Sequence, residues 1–216
     1  MIWFTSDTHF AHSNICYATS KWPDKDTKTR RFNSIQEMNR KMIENINKYV
    51  QQDDTLYFLG DWCMGGIQNY YNFWKQLNCK DIRFIPGNHD HHFKKNKEIP
   101  NLYYEYGCNF SETPPIHDHC RKAYVQDLFF VLPELFTVEL EGQKFVLSHY
   151  PIEEWEDMGK GAIHLHGHCH GQINSCETNK KYKRMDIGLD WKEFRPYSLD
   201  EILKIMEKRE IKKHHY

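Results

Sequence analysis

The chain has 216 residues, 27% of them charged, 39% hydrophobic and 15% aromatic, with a formal net charge of −1. That length suits one sizeable domain spanning 1–216, and so balanced a charge excludes a global field drawing in nucleic acid or membrane. Ile2-Trp3-Phe4 ends at polar Thr5, and no stretch approaches the roughly 20 apolar residues that span a bilayer, so a soluble cytoplasmic protein is expected. Ile2 to Ser6 is predicted as a first strand, delivering Asp7 and His9 at its C-terminal end. Residues 20–33 are polar and charged and read as a surface loop. Ser34-Ile35-Gln36-Glu37 has capping-box form, and Ile35, Met38, Met42, Ile46, Tyr49 and Val50 follow near helical spacing, predicting an amphipathic helix over 35–50. Thr55 to Leu59 is a short buried strand running into Gly60-Asp61. Tyr70 to Leu77 suggests a second helix, and Ile82 to Ile85 a third strand stopped by Pro86-Gly87. Strand, helix, strand, helix, strand is the rhythm of a largely parallel sheet in an α/β protein.

Residues 98–127 mix prolines, histidines and aromatics, and an irregular excursion is expected there. Leu135 to Leu140 and Lys144 to Leu147 flank Glu141-Gly142-Gln143, a hairpin signal. Ala162 to Leu165 and Tyr182 to Ile187 read as further strands. Ser198-Leu199-Asp200-Glu201 is a second capping box, opening a C-terminal helix, and Lys212 to Tyr216 are expected to fray. Seven cysteines, Cys16, Cys63, Cys79, Cys108, Cys120, Cys169 and Cys176, form no CxxC pair, a pattern of thiols in a reducing compartment.

Five polar motifs punctuate these elements: Asp7-Thr8-His9, Gly60-Asp61, Gly87-Asn88-His89-Asp90, Ser148-His149 and Gly167-His168-Cys169-His170. Most follow an apolar run, where a strand ends and a loop can present side chains at a sheet edge. Carboxylates, a carboxamide and imidazoles brought together make a mixed nitrogen and oxygen site for two metal ions, an apparatus suited to phosphate-ester hydrolysis. Asp61 is the natural bridge, because Gly60 lets the backbone turn sharply after a rigid strand. Asp7 and His9, two residues apart, are expected to point to one side, and His168 and His170 repeat that spacing. Asn88 offers a neutral oxygen. Ten of the 14 histidines fall in these motifs or within three residues of them. Of these, His164 and His166 read equally as packing residues on a strand, and His91 and His92 as the solvent-facing start of a short helix.

In this order the motifs resemble the calcineurin-like metallophosphoesterases, whose pattern runs D-x-H, GD, GNH followed by Asp or Glu, a lone His, and GHxH. The chain supplies all five between residues 7 and 170. Its closing Asp186-Ile187-Gly188-Leu189-Asp190, with Arg195-Pro196, is similar to the small stand-alone prokaryotic and phage members. The resemblance implies a four-layer α/β/β/α sandwich of two mixed sheets flanked by helices. It also implies one metal held by Asp7, His9, Asp61 and His170 and another by Asp61, Asn88, His149 and His168. The ions would be divalent, with manganese foremost and iron, nickel or zinc also suited. A hydroxide bridging them would attack phosphorus while His89 protonates the leaving group, with Asp90 orienting His89 and favouring its charged form. Two departures stand out. Met64 replaces the charge many members carry three residues after the GD aspartate, and Cys169 sits where Thr, Ala or Ser is usual.

The expected substrate is a small phosphate ester, such as a nucleotide, cleaved as a diester or a monoester. The alternative is a nuclease holding a phosphate backbone with Lys21, Lys25, Lys28, Arg30 and Arg31, and with Lys180, Lys181, Lys183 and Arg184. Such runs are commonly solvated faces. A remote alternative is a non-catalytic scaffold with the same fold, against which the retention of His89 and of every ligand position argues. His12 and Asn14 are candidate substrate contacts.

Overall fold

Trp3-Phe4, Leu56-Tyr57-Phe58 and Ile82 with Phe84 are runs that only a sheet covered on both faces can bury. In the computed structural model, which describes residues 1–19, 30–105, 109–114, 120–170 and 181–212, they lie in β1 (Ile2–Thr5), β2 (Thr55–Phe58) and β3 (Asp81–Phe84). These pair in parallel at the centre of a five-stranded sheet. β7 (Phe130–Val131) extends it in parallel beyond β3, and β12 (Tyr197–Ser198) runs antiparallel beside β1. Side chains alternate: Trp3, Leu56, Phe58, Ile82 and Phe84 face one way, while Phe4, Tyr57 and Leu59 face the other.

The first face is covered by α2 (Ile35–Tyr49), through Met38, Met42 and Ile46, and by α3 (Gln68–Trp74), through Tyr70, Tyr71 and Phe73. Two single-turn helices, α1 (Ser13–Cys16) and α4 (His91–Lys94), follow the first and third motifs. The second face packs on a four-stranded mixed sheet. There β8 (Leu135–Leu140) and β9 (Gln143–Ser148) form the expected antiparallel hairpin, and β10 (Ile163–His166) and β11 (Arg184–Asp186) add in parallel. Phe145, Leu147, Ile163 and Leu165 are wholly buried between the sheets, and the Phe4 and Phe145 rings stack 5.8 Å apart. Two mixed sheets face to face with helices outside are the α/β fold expected. Among the described residues, the second sheet's outer side carries a thin cover of Trp155 and Met158 rather than a long helix.

Strand β11, Arg184–Asp186, is shorter than the predicted Tyr182 to Ile187, because Tyr182 instead bridges to Glu210. Residues 98–127 require a larger correction. They contain β4 (Glu98–Glu105), β5 (Asn109–Ser111) and β6 (Arg121–Tyr124), an antiparallel sheet in the order β5-β4-β6. Pro100 and a register shift between Glu98 and Tyr103 break the period-2 pattern that would reveal a strand, while Ile99, Leu102 and Ala123 are buried against the helical side of the core. Cys108, Cys176, Lys21, Lys25, Lys28, Lys180, most of the 20–33 loop and the end from 213 lie outside the described residues. No disulfide joins the described cysteines, and no described helix is long and apolar enough to cross a membrane.

The two caps differ. At α2, the Ser34 hydroxyl accepts from the Glu37 amide (3.0 Å), but the Glu37 carboxylate takes the amide of Asn33 (3.0 Å), so the reciprocal half of the box is shifted by one residue. At the C-terminal helix α5 (Leu199–Glu207) the box is complete, because Ser198 Oγ accepts from the Glu201 amide (3.2 Å) and Glu201 accepts from the Ser198 amide (3.1 Å). Arg195 also grips the Glu201 carboxylate, at 2.9 and 3.2 Å. Ser198→Ala should therefore lower the unfolding free energy by about 0.5–2 kcal/mol in urea titrations. An unchanged midpoint would show that the Arg195 contact alone holds that helix start.

Candidate metal centre

Parallel strands aligned in register end together. Thr5 pairs with Phe58 and Phe58 with Phe84, so the segments that follow, carrying Asp7 and His9, Asp61, and Asn88 and His89, leave the first sheet at one edge. In the second sheet, His149 follows β9, and the turn with His168 and His170 follows β10, at the corresponding edge. The two edges meet across the interface between the sheets. All seven predicted ligand residues come together there.

The backbone turns abruptly at most of them. Asp7, His9, Asp61, His168 and His170 have φ of 56°, 45°, 58°, 70° and 48°, the left-handed region that non-glycine residues occupy at a cost of about 1–3 kcal/mol. Asp7 and His9 share a site for this reason and not through strand alternation, since the strand ends at Thr5. Gly60 is required for close approach. Its φ is +87°, and a Cβ there would lie 2.5 Å from the Gly87 amide nitrogen and 2.7 Å from His149 Nδ1.

One group of donors comprises Asp7, His9 and His170. His9 Nε2 stands 3.2 Å from His170 Nε2, and both lie within 3.9 Å of Asp7 Oδ1. The other comprises Asn88, His149 and His168, with Asn88 Oδ1 2.8 Å from His149 Nε2 and 2.9 Å from His168 Nδ1. Asp61 Oδ2 lies between them, 3.4 Å from His9 Nε2 and 3.7 Å from His149 Nε2. Neighbours set which ring nitrogen faces inward. His149 Nδ1 meets the Leu59 carbonyl at 2.7 Å, and a carbonyl only accepts, so Nδ1 carries the proton and Nε2 presents a lone pair. His170 Nδ1 meets Asp190 Oδ2 at 2.6 Å, with the same result.

These donors fit divalent cations. Two facing imidazole nitrogens 3.2 Å apart repel unless a proton or a cation lies between them, and His9 Nδ1 is buried with no hydrogen-bond partner among the described residues. Burial, then the His170 and Arg30 charges, hold the His9 imidazole well below its usual pKa, leaving it neutral as a ligand must be. Burial lowers His170 as well, but the bond to Asp190 and the charge of Asp7 outweigh it and raise its pKa. Burial pushes the Asp7 carboxyl up to about 8, opposed by His170 and reinforced by Asp61 and Asp186.

Ser6 and Asp190 shape the site without having been predicted as site residues, and Arg30 does so in a role other than the phosphate contact expected under the nuclease alternative. Ser6 Oγ donates to Asp7 Oδ2 at 2.5 Å. Asp190 receives Arg30 Nε at 2.6 Å as well as His170. Arg30, 3% exposed, also donates to the carbonyls of Asp7 and Thr8, so it props the first metal loop from below instead of offering charge to nucleic acid. Arg184 is likewise buried and donates to the Ile152 carbonyl, Lys181 pairs with Glu210, and Lys183 bonds the Met206 carbonyl. The role expected for Asp90 is corrected. Its carboxylate accepts from the amides of Asp61 (2.7 Å), Gly87 (2.8 Å) and Trp62 (3.1 Å) and from the Tyr70 hydroxyl (3.1 Å), and none of its described contacts is with His89. His89 donates its amide to Asp61 Oδ1 at 2.8 Å, and its ring lies at the rim of the cluster beside His9 and His12. His12 therefore borders the site, whereas the described contacts of Asn14 are local ones to Thr19. His164 is structural, bonded to Val146 O and the Ile152 amide.

The Asp7 pKa sets a pH dependence. Below about 8 the chelated protein holds a proton on this carboxyl that a cation must displace, so apparent affinity should rise roughly tenfold per pH unit from pH 6 and level off above 8. Manganese titrations of chelated protein at pH 6, 7, 8 and 9 read this directly. A flat affinity would mean that Asp7 is ionised before the metal arrives.

The family model for calcineurin-like phosphoesterases matches residues 1–187. An uncharacterized protein of Methanocaldococcus jannaschii is 28% identical over 216 residues, covering 97% of this chain and 93% of its own. A protein of unknown function from Aquifex aeolicus superposes with a TM-score of 0.62 at 22% identity, over 95% of this chain and 98% of its own, a likeness of fold. An archaeal phosphodiesterase aligns with a TM-score of 0.42 at 17% identity, over 87% and 82% of the two chains, too loosely to carry an argument. With the motif order, the paired sheets and the family match in agreement, the chain belongs to the calcineurin-like phosphoesterases.

Proposed function

We propose that the protein hydrolyses a small phosphate ester, such as a nucleotide, as a diester or monoester, with two divalent cations of which manganese is the first choice. The observation that carries this reading is the position of Asp61 Oδ2, within 3.7 Å of an imidazole nitrogen from each donor group. One carboxylate oxygen shared in this way suits two cations roughly 3.5–4 Å apart. Asp7, His9, Asp61 and His170 would hold one, and Asp61, Asn88, His149 and His168 the other. Bound there, the cations would supply positive charge to the phosphoryl oxygens and acidify an attacking water. Unbridged thiols at all five described cysteines suit a reducing, cytoplasmic setting.

The chain's own part is orientation and proton delivery. Asp190 and the Leu59 carbonyl fix the rings of His170 and His149. His89 keeps its imidazole 39% exposed, with Nε2 4.0 Å from Asp61 Oδ2, where a leaving-group oxygen can reach it. We assign it as general acid. Its carboxylate neighbour is Asp61 and not Asp90, so the acid and the shared ligand are electrostatically linked. Burial of Arg30 and Arg184 weighs against a nuclease, because two cations of the presumed backbone track face inward.

Chelation should abolish turnover of bis(p-nitrophenyl) phosphate, and manganese should restore it. Asp61→Asn should weaken retention of both metal equivalents, whereas His9→Ala should lose mainly one, as counted by elemental analysis. Full turnover after chelation would sink the assignment. His89→Ala should keep both metals and slow esters with poor leaving groups by about 10²–10⁴, with a much smaller loss for nitrophenolate. Equal slowing of both would make His89 a phosphate anchor. Raising salt should change kcat/KM only modestly. A log–log slope of several, as counterion release from a bound backbone requires, would favour the nuclease.

A further inference from the structure

Behind the GHxH turn lies a group of donors that the dinuclear reading leaves unused. His166, Cys169 and Asp186 each offer one ligand atom, and all three atoms lie within 4.8 Å of one another. His166 ends β10 and Asp186 ends β11, and the two are register partners in parallel strands, so both side chains leave the sheet on one face. Both are fully buried. Cys169 comes from the turn itself, where its amide bonds the Gly167 carbonyl at 2.8 Å. The protonation of His166 suits a ligand: Nδ1 meets the Gly167 carbonyl at 2.8 Å and must donate to it, so the lone pair is on Nε2. One Asp186 oxygen accepts from the Gly188 amide at 2.8 Å, the outer-sphere support that ligating carboxylates usually have.

We propose that His166, Cys169 and Asp186 form a third cation site, for a single zinc-like divalent ion bound through one nitrogen, one sulfur and one oxygen. A thiolate and a carboxylate bring two negative charges to a dication. A sulfur donor favours zinc or cobalt over magnesium or calcium. Zinc bonds of about 2.0–2.3 Å at tetrahedral angles put donors roughly 3.2–3.8 Å apart. No edge therefore has to close by more than about 1 Å, which a cysteine on a turn can supply. Three protein donors leave the fourth position to solvent. The ion would fasten the turn bearing His168 and His170 to β11, making the site a positioning device for two ligands of the catalytic pair.

The test uses the full chain, stripped by chelation and titrated with cobalt(II). The wild type should take up three equivalents and develop a thiolate-to-cobalt charge-transfer absorption, a signature that nitrogen and oxygen donors cannot produce. Cys169→Ser should bind two equivalents without that absorption. Asp186→Asn should retain it but with affinity weakened at least about tenfold, the loss expected even for outer partners of a metal. Asp61→Asn should keep the thiolate signal while the other two equivalents weaken, which separates this site from the dinuclear reading. If the wild type shows one equivalent with the thiolate signal, the third site stands and the dinuclear reading falls. Two equivalents with no thiolate signal in the wild type, which needs no variant to fold, would overturn the third site. So would a signal that disappears together with Asp61.

Discussion

The carboxylate of Asp90 is wholly buried and gives both its oxygens to other segments: to the amides of Asp61 and Trp62 after β2, to the amide of Gly87 after β3, and to the Tyr70 hydroxyl on α3. Burial and the nearby Asp61 charge push its pKa up, against the pull of the three amides. Those amides belong to loops that no strand ladder satisfies, and an unpaired buried amide costs about 1–3 kcal/mol. One side chain thus answers for three such groups and brings the Asp61 loop and the Asn88 loop into contact. The near approach of Gly60 to Gly87, and the reach of the His89 amide to Asp61, depend on that tie.

Arg30 plays the matching part on the other side. Its guanidinium gathers the carbonyls of Asp7 and Thr8 and the carboxylate of Asp190, and Asp190 in turn fixes His170. A residue more than 20 positions from Asp7 and 160 from Asp190 closes the site by joining its first and last loops. The left-handed backbone at Asp7, His9, Asp61, His168 and His170 is thereby over-determined, which is the condition under which strained conformations persist.

What could be read in the sequence divides along physical lines. The strands that are buried on both faces, the amphipathic α2 and the Glu141-Gly142 hairpin all announce themselves by local pattern, as does a ligand set whose residue types have few other uses at strand ends. Glu98–Glu105 did not, because Pro100 and a register shift erase its alternation and its cover comes from distant parts of the core and from Phe110 on the paired strand, which local pattern does not show. The family resemblance assigns Asp90 to His89, yet its side chain points to amides 28 and 29 residues away. Arg30 sits in a basic run that looks solvated, and nothing local marks the one guanidinium among those cations that turns inward. Residues that supply donor atoms were legible, while residues that hold the donors in place were not, because their partners are chosen by the fold.

The same contrast explains why this site needs cations to be complete. Asp7, Asp61, Asp90 and Asp186 are all buried, and Asp190 nearly so, while the buried cations near them are Arg30 and, beside Asp186 on its strand, Arg184. Arg30 and His170 between them hold Asp190 below the usual carboxylate range despite its burial, but Asp7 is raised to about 8. Backbone amides stabilise Asp90 and, through His89 and His168, share in holding Asp61 and Asp7, yet amides carry no net charge. A folded chain without metal therefore keeps a proton on Asp7 or bears added negative charge beside the neutral His9 imidazole. Cations remove both penalties at once, so metal binding here contributes to the stability of the loops as well as to their chemistry.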